Sequence, residues 1–255
     1  MLKSITRFFI ASTMLFAIGL LTSTSVLKQS MRPAPHQIKK VLSTPDNVSN
    51  SYSINDKKSL KKSVGSAVRV MSVDVTGDGI SLASGTYFTY LEKHYVLTVS
   101  HALAGVCEDL VVTYFEHSAR CIEYTLIDTH VDYAIIEIEK LENRKPLSVF
   151  NSIEFKYHKF PKLLDKMYYT GYPNNIGPLS FEGTVSGFSE NGYMFLNSYA
   201  WTGSSGSGVF NSRGKLVGII MALDVGTTQY GVDVLENLLI VVPVYQIDWL
   251  TALHR

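Results

Sequence analysis

The chain has 255 residues, enough for one large or two small globular units. An apolar fraction of 46% beside 18% charged residues fits a folded protein with a sizeable core and excludes a disordered chain. The formal net charge of +1 supplies no field for nucleic acid and demands no acidic substrate, and the 15 Tyr and 12 Phe favour strands.

The first residues carry charge at Lys3 and Arg7, and Phe8 to Leu27 is uncharged and mostly apolar. A helix of about 20 residues spans roughly 30 Å, enough to cross a bilayer. Residues 1–27 therefore read as a membrane anchor or as a secretory signal cleaved near Ser25. Either sends the remainder across a membrane, with Lys3 and Arg7 left inside. Residues 28–62 hold Pro33, Pro35, Pro45, many Ser and Asn, and a basic run at Lys57, Lys58, Lys61 and Lys62. They are expected to form a flexible linker with solvated lysines.

From Ser63 the texture changes. Short apolar or alternating runs recur at 67–73, 79–90, 95–98, 110–115, 121–127 and 134–138. A second set follows at 166–170, 183–188, 194–198, 208–211, 216–223 and 238–242. Turn residues separate them, and helical periodicity is scarce, so the expectation is an all-β fold. The two sets meet in the less regular stretch 141–166, which predicts two barrels at about 64–145 and 160–242. Pro243 followed by apolar residues at 244, 247 and 250 predicts one short C-terminal helix.

Cys107 and Cys121 lack zinc-site spacing, and no metal or cofactor is expected. An extracytoplasmic protein could join them. However, a hairpin over 110–128 turning near His117 and Ser118 would set Cys121 opposite Tyr114, which argues against a disulfide.

Three segments carry the chemistry. Thr202-Gly203-Ser204-Ser205-Gly206-Ser207-Gly208 places serines between glycines and runs into an apolar strand. A nucleophilic serine needs such a sharp turn, with N–H groups converging where an oxyanion forms. Ser205 suits the role better than Ser204 or Ser207, because Gly203 lies two before it and Gly206 one after. The N–H groups of Gly203 and Ser205 then form the candidate oxyanion hole. A serine hydroxyl also needs a base, and the base an orienting acceptor. His101 follows the apolar run Tyr95–Val99 and is the candidate base. Asp132 leads directly into Ala134-Ile135-Ile136 and is the candidate orienter, with Asp128 as rival. The serine run is not a strand–elbow–helix of the Gly-x-Ser-x-Gly type, which disfavours a hydrolase elbow.

Thr98-Val99-Ser100-His101-Ala102, Asp132-Tyr133-Ala134-Ile135-Ile136 and Gly203-Ser204-Ser205-Gly206-Ser207 resemble the His, Asp and Ser motifs of trypsin-like serine proteases. His101 and Asp132 are 31 residues apart, and Asp132 and Ser205 are 73 apart. This compact spacing is similar to that of bacterial and viral members, the HtrA-type protease domain above all. Gly171-Tyr172-Pro173, Gly183-Thr184-Val185-Ser186-Gly187, Gly214-Lys215-Leu216-Val217-Gly218-Ile219 and Ile240-Val241-Val242-Pro243 extend the resemblance over about 64–254. It departs at Ser204, where the family usually has Asp or Asn, at Ser207 in place of Gly, and at Gly208 in place of Pro. It includes no PDZ domain.

The resemblance implies two six-stranded antiparallel β-barrels of the chymotrypsin kind with the triad between them. It also implies a substrate-pairing strand at Met221, Ala222 and Leu223, and a specificity pocket near Tyr199 and Ala200. With Tyr199 six before Ser205, a preference for Lys or Arg is unsupported, and an apolar or small residue is expected at the cleavage site. The expected activity is extracytoplasmic serine endopeptidase, with protein or peptide as partner and no nucleic acid. Membrane contact would come through residues 8–27, and the oligomeric state is open. The alternatives are a non-catalytic binding protein on the same fold and an esterase.

Overall fold

Period-two apolar patterning and β-branched runs become 13 strands among the described residues. The computed structural model describes residues 53–156, 159–228 and 231–254. The expectations for 1–27, and for the linker as far as residue 52, lie outside the described residues.

Six strands form the first barrel: β1 (Ala67–Val73), β2 (Ile80–Tyr90), β3 (Lys93–Thr98), β4 (Leu110–Tyr114), β5 (His117–Asp128) and β6 (Tyr133–Ile138). They pair in the order β1-β4-β5-β6-β3-β2, and antiparallel pairing of β1 with β2 closes the ring. β7 (Leu147–Ser148) adds a short parallel contact to β2. The second barrel holds β8 (Lys166–Gly171), β9 (Leu179–Phe188), β10 (Met194–Asn197), β11 (Gly208–Asn211), β12 (Leu216–Thr228) and β13 (Gly231–Pro243). It closes in the order β10-β13-β12-β11-β8-β9. Closure removes the free edges an open sheet would present. The fold is thus the expected pair of six-stranded antiparallel barrels.

Each barrel fills its interior with its own side chains. β6 is buried at all six positions, and its Ile135 and Ile136 belong to one apolar cluster with Val68, Val96 and Leu110. Met167, Tyr169, Val185, Leu196 and Val241 fill the second barrel. Phe210, Ile219 and Val242 of the second barrel join the first core, so apolar contact runs across the junction.

Three features differ from the sequence expectations. The first is helix α1 (Ile54–Ser66), which takes up the end of the expected linker. Ser53 Oγ accepts from the Asp56 N–H, and Asp56 accepts from the Ser53 N–H, forming a capping box. The face that α1 buries consists of Ser59, Ser63 and Ser66. Ser59 Oγ donates to the Asn211 carbonyl at 2.8 Å, and Ser63 Oγ to Thr170 Oγ1 at 2.8 Å. Lys62 Nζ is likewise not simply solvated, since it donates to the Gly214 carbonyl at 2.9 Å. A helix docked through serines leaves no hydrophobic period to read.

The second is the C-terminus, where the expected short helix forms but begins later than Pro243. A 3-10 turn at Val244–Gln246 is followed by a restart at Asp248, which caps α3 (Trp249–Leu253) after the short α2 (Val149–Ser152) earlier in the chain. Val244 and Ile247 are buried as one helix face would require, but Leu250 is 73% exposed and Ala252 and Leu253 take the buried places.

The third is the disulfide. Cys107 and Cys121 are bonded, with Cα atoms 5.4 Å apart. The β4–β5 hairpin turns at Phe115 and Glu116, because Tyr114 pairs with His117. That is two residues earlier than expected. Arg120 then faces Val111, which sets Cys121 beside the 3-10 turn Cys107–Asp109.

Candidate active site

β3 ends at Thr98, and a 3-10 turn, Ser100–Ala102, carries His101. Buried Val99 and Ala102 anchor the turn on either side and leave the His101 side chain about half exposed. Asp132 stands at the end of the β5–β6 connection. There Asp128 Oδ1 accepts from the His130 and Val131 N–H groups, each at 2.9 Å. Asp128 therefore spends its carboxylate on its own turn. The Asp132 N–H closes on the Asp128 carbonyl at 3.0 Å, and Asp132 adopts φ +69°.

This turn aims the Asp132 carboxylate at the His101 turn. His101 Nδ1 donates to Asp132 Oδ2 at 2.7 Å. Ser100 Oγ donates to Asp132 Oδ1 at 2.7 Å, and the His101 backbone N–H reaches the same oxygen at 3.0 Å. Burial opposes ionisation of Asp132. The donors from His101 and Ser100 outweigh it and hold the carboxyl below its ordinary value.

The serine run folds as a tight turn. The Ser204 N–H donates to the Trp201 carbonyl at 2.9 Å, and buried Ser204 Oγ accepts from the Trp201 N–H at 3.3 Å. Gly203 and Gly206 take φ of +94° and +87°, a region that favours glycine. A Cβ on Gly203 would also lie 2.6 Å from the Tyr172 carbonyl oxygen. Among the described residues, the N–H groups of Gly203 and Ser205 donate to no protein acceptor, unlike those of Ser204, Gly206 and Ser207. Two donors with no partner among the described residues thus lie at Ser205 and two residues before it.

One cavity of about 500 Å³ collects these parts. Its walls include Ile80–Ala83, His101, Ala102, Ala200–Ser205, Ile220 and Met221. His101, Ser205, Gly203, Ala200 and Met221 thus share a single site, with Asp132 bonded to His101 at its edge. Tyr199 does not join them. It is 64% exposed, while its neighbour Ala200 is buried and faces the cavity. For Ala222 and Leu223 only the backbone is described; they pair with Ile240 and Leu239 on β13. Ser207 is buried, lines no part of the cavity, and has no hydrogen-bond partner for its hydroxyl among the described residues. Among the described residues, no group of three or more His, Cys, Asp or Glu is placed to hold a metal ion.

Sequence reasoning missed Ser84 and Ser100. Ser84, fully buried on β2, donates from Oγ to the Gly203 carbonyl at 2.7 Å and accepts from the Tyr172 N–H at 2.9 Å. Its signal was the small run Ala83-Ser84-Gly85 inside an otherwise bulky strand. Ser100 had no signal beyond its place before His101.

Residues 77–219, more than half of the chain, match the trypsin-like peptidase domain family. No curated protein matches. Among solved structures, the chain is similar to the serine endoprotease from Yersinia pestis, at 20% identity and TM-score 0.59, over 78% of this chain and 65% of that one. It is similar to the Rv3671c protease from M. tuberculosis in its active form, at 15% identity and TM-score 0.56, over 75% and 81%. It is also similar to the HtrA-type protease AlgW with tripeptide, at 17% identity and TM-score 0.57, over 74% and 60%. The chain spans less than two thirds of the length of the first and third of these. At such identities the likeness is one of fold. Taken with the family match over 77–219, it means that this chain belongs to the trypsin-like peptidase family.

Proposed function

We propose that the chain is a serine endopeptidase working outside the cytoplasm, with His101, Asp132 and Ser205 as its triad. The observation that carries this reading is the Asp132–His101 hydrogen bond of 2.7 Å, opening onto the same cavity as Ser205. Asp132 fixes the imidazole tautomer, with the proton on Nδ1. Nε2 is then free to take the Ser205 proton as the hydroxyl attacks the scissile carbonyl. The Gly203 and Ser205 N–H groups receive the developing oxyanion. Proton transfer from His101 to the leaving amine gives an acyl-enzyme, and water repeats the sequence to release the acid.

The substrate backbone would pair along Met221–Leu223. Register pairing of β12 with β11 stops at Ile219, and Ile220 bonds Gly206 and Ser207 of the serine turn, so among the described residues β11 does not pair with Met221–Leu223. Among the described residues, Ala200, Ile220 and Met221 line the cavity and no carboxylate does, which supports a small or apolar residue at the cleavage site. The Cys107–Cys121 bond supports an oxidising compartment, as does the apolar stretch 8–27. A fluorophosphonate probe should label Ser205 in the wild type and nothing in Ser205→Ala. A wild type that takes no label would instead be a binding protein on a protease fold. Faster turnover of esters with no peptide cleavage would make it an esterase.

A further inference from the structure

We propose that Ser100 is a positioning residue for the catalytic couple, supplying from its own barrel the hydroxyl that holds Asp132 in register with His101. The inference rests on the triad reading above and goes beyond it. A carboxylate that accepts only one imidazole N–H can rotate about its Cβ–Cγ bond and carry the imidazole with it. Here Oδ2 takes the imidazole, while Ser100 Oγ at 2.7 Å and the His101 N–H at 3.0 Å hold Oδ1. Both carboxylate oxygens are fixed, and so is the ring plane.

All three donors come from one 3-10 turn of the first barrel. Across the cleft, the second barrel presents Ile220 and Met221, and neither side chain can donate a hydrogen bond. Tyr193 of the second barrel is near enough for Asp132 to add to the rise that burial causes in its phenol pKa. Yet no hydrogen bond joins the two among the described residues. The Asp132 side chain is only 18% exposed, so water is a poor substitute for a missing donor. Among the described residues, the hydroxyl of Ser100 is the one side-chain donor to Asp132 besides His101 itself. The Ser100 backbone has a separate task, accepting from the Leu103 N–H at 3.0 Å, and that bond survives loss of the hydroxyl.

The test compares full-length wild type with Ser100→Ala, Ser100→Thr, Asp132→Asn and the double variant Ser100→Ala/Asp132→Asn, by peptide hydrolysis with melts alongside. Ser100→Ala should lower kcat about 10–100-fold, the range for a hydrogen bond to a charged group, with KM nearly unmoved. Ser100→Thr should recover most of the loss. In the Asp132→Asn background, removal of the Ser100 hydroxyl should cost less than about threefold, because its target is no longer charged. A Ser100→Ala enzyme within twofold of wild type overturns the proposal. So does an equal loss in both backgrounds, or a loss that Thr does not restore. If Asp132→Asn itself keeps wild-type turnover, the triad reading fails, and this inference fails with it.

Discussion

The backbone N–H of Ser84 donates to the carbonyl of Ser205 across 2.8 Å, joining the first barrel to the serine turn of the second. The same residue holds the Gly203 carbonyl through its hydroxyl, and Thr98 Oγ1 holds the Ser84 carbonyl at 2.7 Å. Thr98 closes the strand that leads to His101. The strand before the candidate base and the turn of the candidate nucleophile are therefore tied through one serine. The cleft is thus held by directional bonds as well as by apolar contact between the barrels.

Removing that hydroxyl should loosen the site. Ser84→Ala leaves the Gly203 carbonyl and the Tyr172 N–H without their partner in a buried place. Each such group costs about 1–3 kcal/mol. The melting temperature should fall, and kcat should fall by about tenfold or more as Gly203 loses its support. Melts and peptide turnover measure both, and unchanged values in both would remove Ser84 from the account.

The close approach at Gly206 gives a sharper case. A Cβ there would lie 2.0 Å from the Ser84 carbonyl oxygen and 2.4 Å from Thr98 Oγ1, at φ +87°. Gly206→Ala should abolish probe labelling of Ser205 and destabilise the fold, since backbone must move. Gly187→Ala is the control: its Cβ would meet nothing nearer than 3.8 Å. Parallel labelling and melts of the two variants decide the matter. A Gly206→Ala protein that labels like wild type would mean the turn is not held as described.

The disulfide should matter to stability. It closes a separation of 14 residues, worth about 3 kcal/mol by chain entropy. Dithiothreitol, or Cys121→Ser, should lower the melting temperature by about 6–12 °C for a domain of this size. Calorimetry with and without reductant reads this directly. Equal melts would show that the bond adds nothing to the folded state.

Strand placement was legible because a barrel interior enforces apolar patterning at nearly every strand; the run 67–73 became β1 without change. His101 and Ser205 were legible because a base after a buried strand and a serine among glycines are unusual local chemistry. Of the two residues expected beside the specificity pocket, Ala200 lines the cavity and Tyr199 does not. In an extended segment a one-residue step reverses the face, so Ala200 turns into the cavity and Tyr199 out of it. Helix α1 escaped because its buried face is serine, whose contribution depends on partners far off in sequence, Asn211 and Thr170. The disulfide escaped because it hinges on a hairpin turn two residues from where the pattern pointed. Ser84 and Ser100 act only through tertiary neighbours, so the linear chain carries little trace of them.

Asp132 has its folded pKa held below the ordinary 3.8 by its donors, against the opposing effect of burial. As pH falls through 3.8, the unfolded chain takes up a proton at this residue before the folded one does. Stability from Asp132 is therefore fully present above about pH 5 and is lost as pH drops toward the folded value. Asp74, Asp248 and Glu139 are depressed as well and will steepen any acid melt. They are common to wild type and Asp132→Asn, so the difference between the two proteins isolates the one group. Wild type should melt higher than Asp132→Asn at pH 6, and the gap should narrow steadily between pH 5 and pH 3. Ser100→Ala removes one of the donors, so its gap to Asp132→Asn should be smaller at pH 6 than the wild-type gap. Melting curves at half-unit pH steps give all three comparisons. A gap between wild type and Asp132→Asn that is constant from pH 6 to pH 3 would mean that the carboxylate draws no net stabilisation from Ser100 and His101.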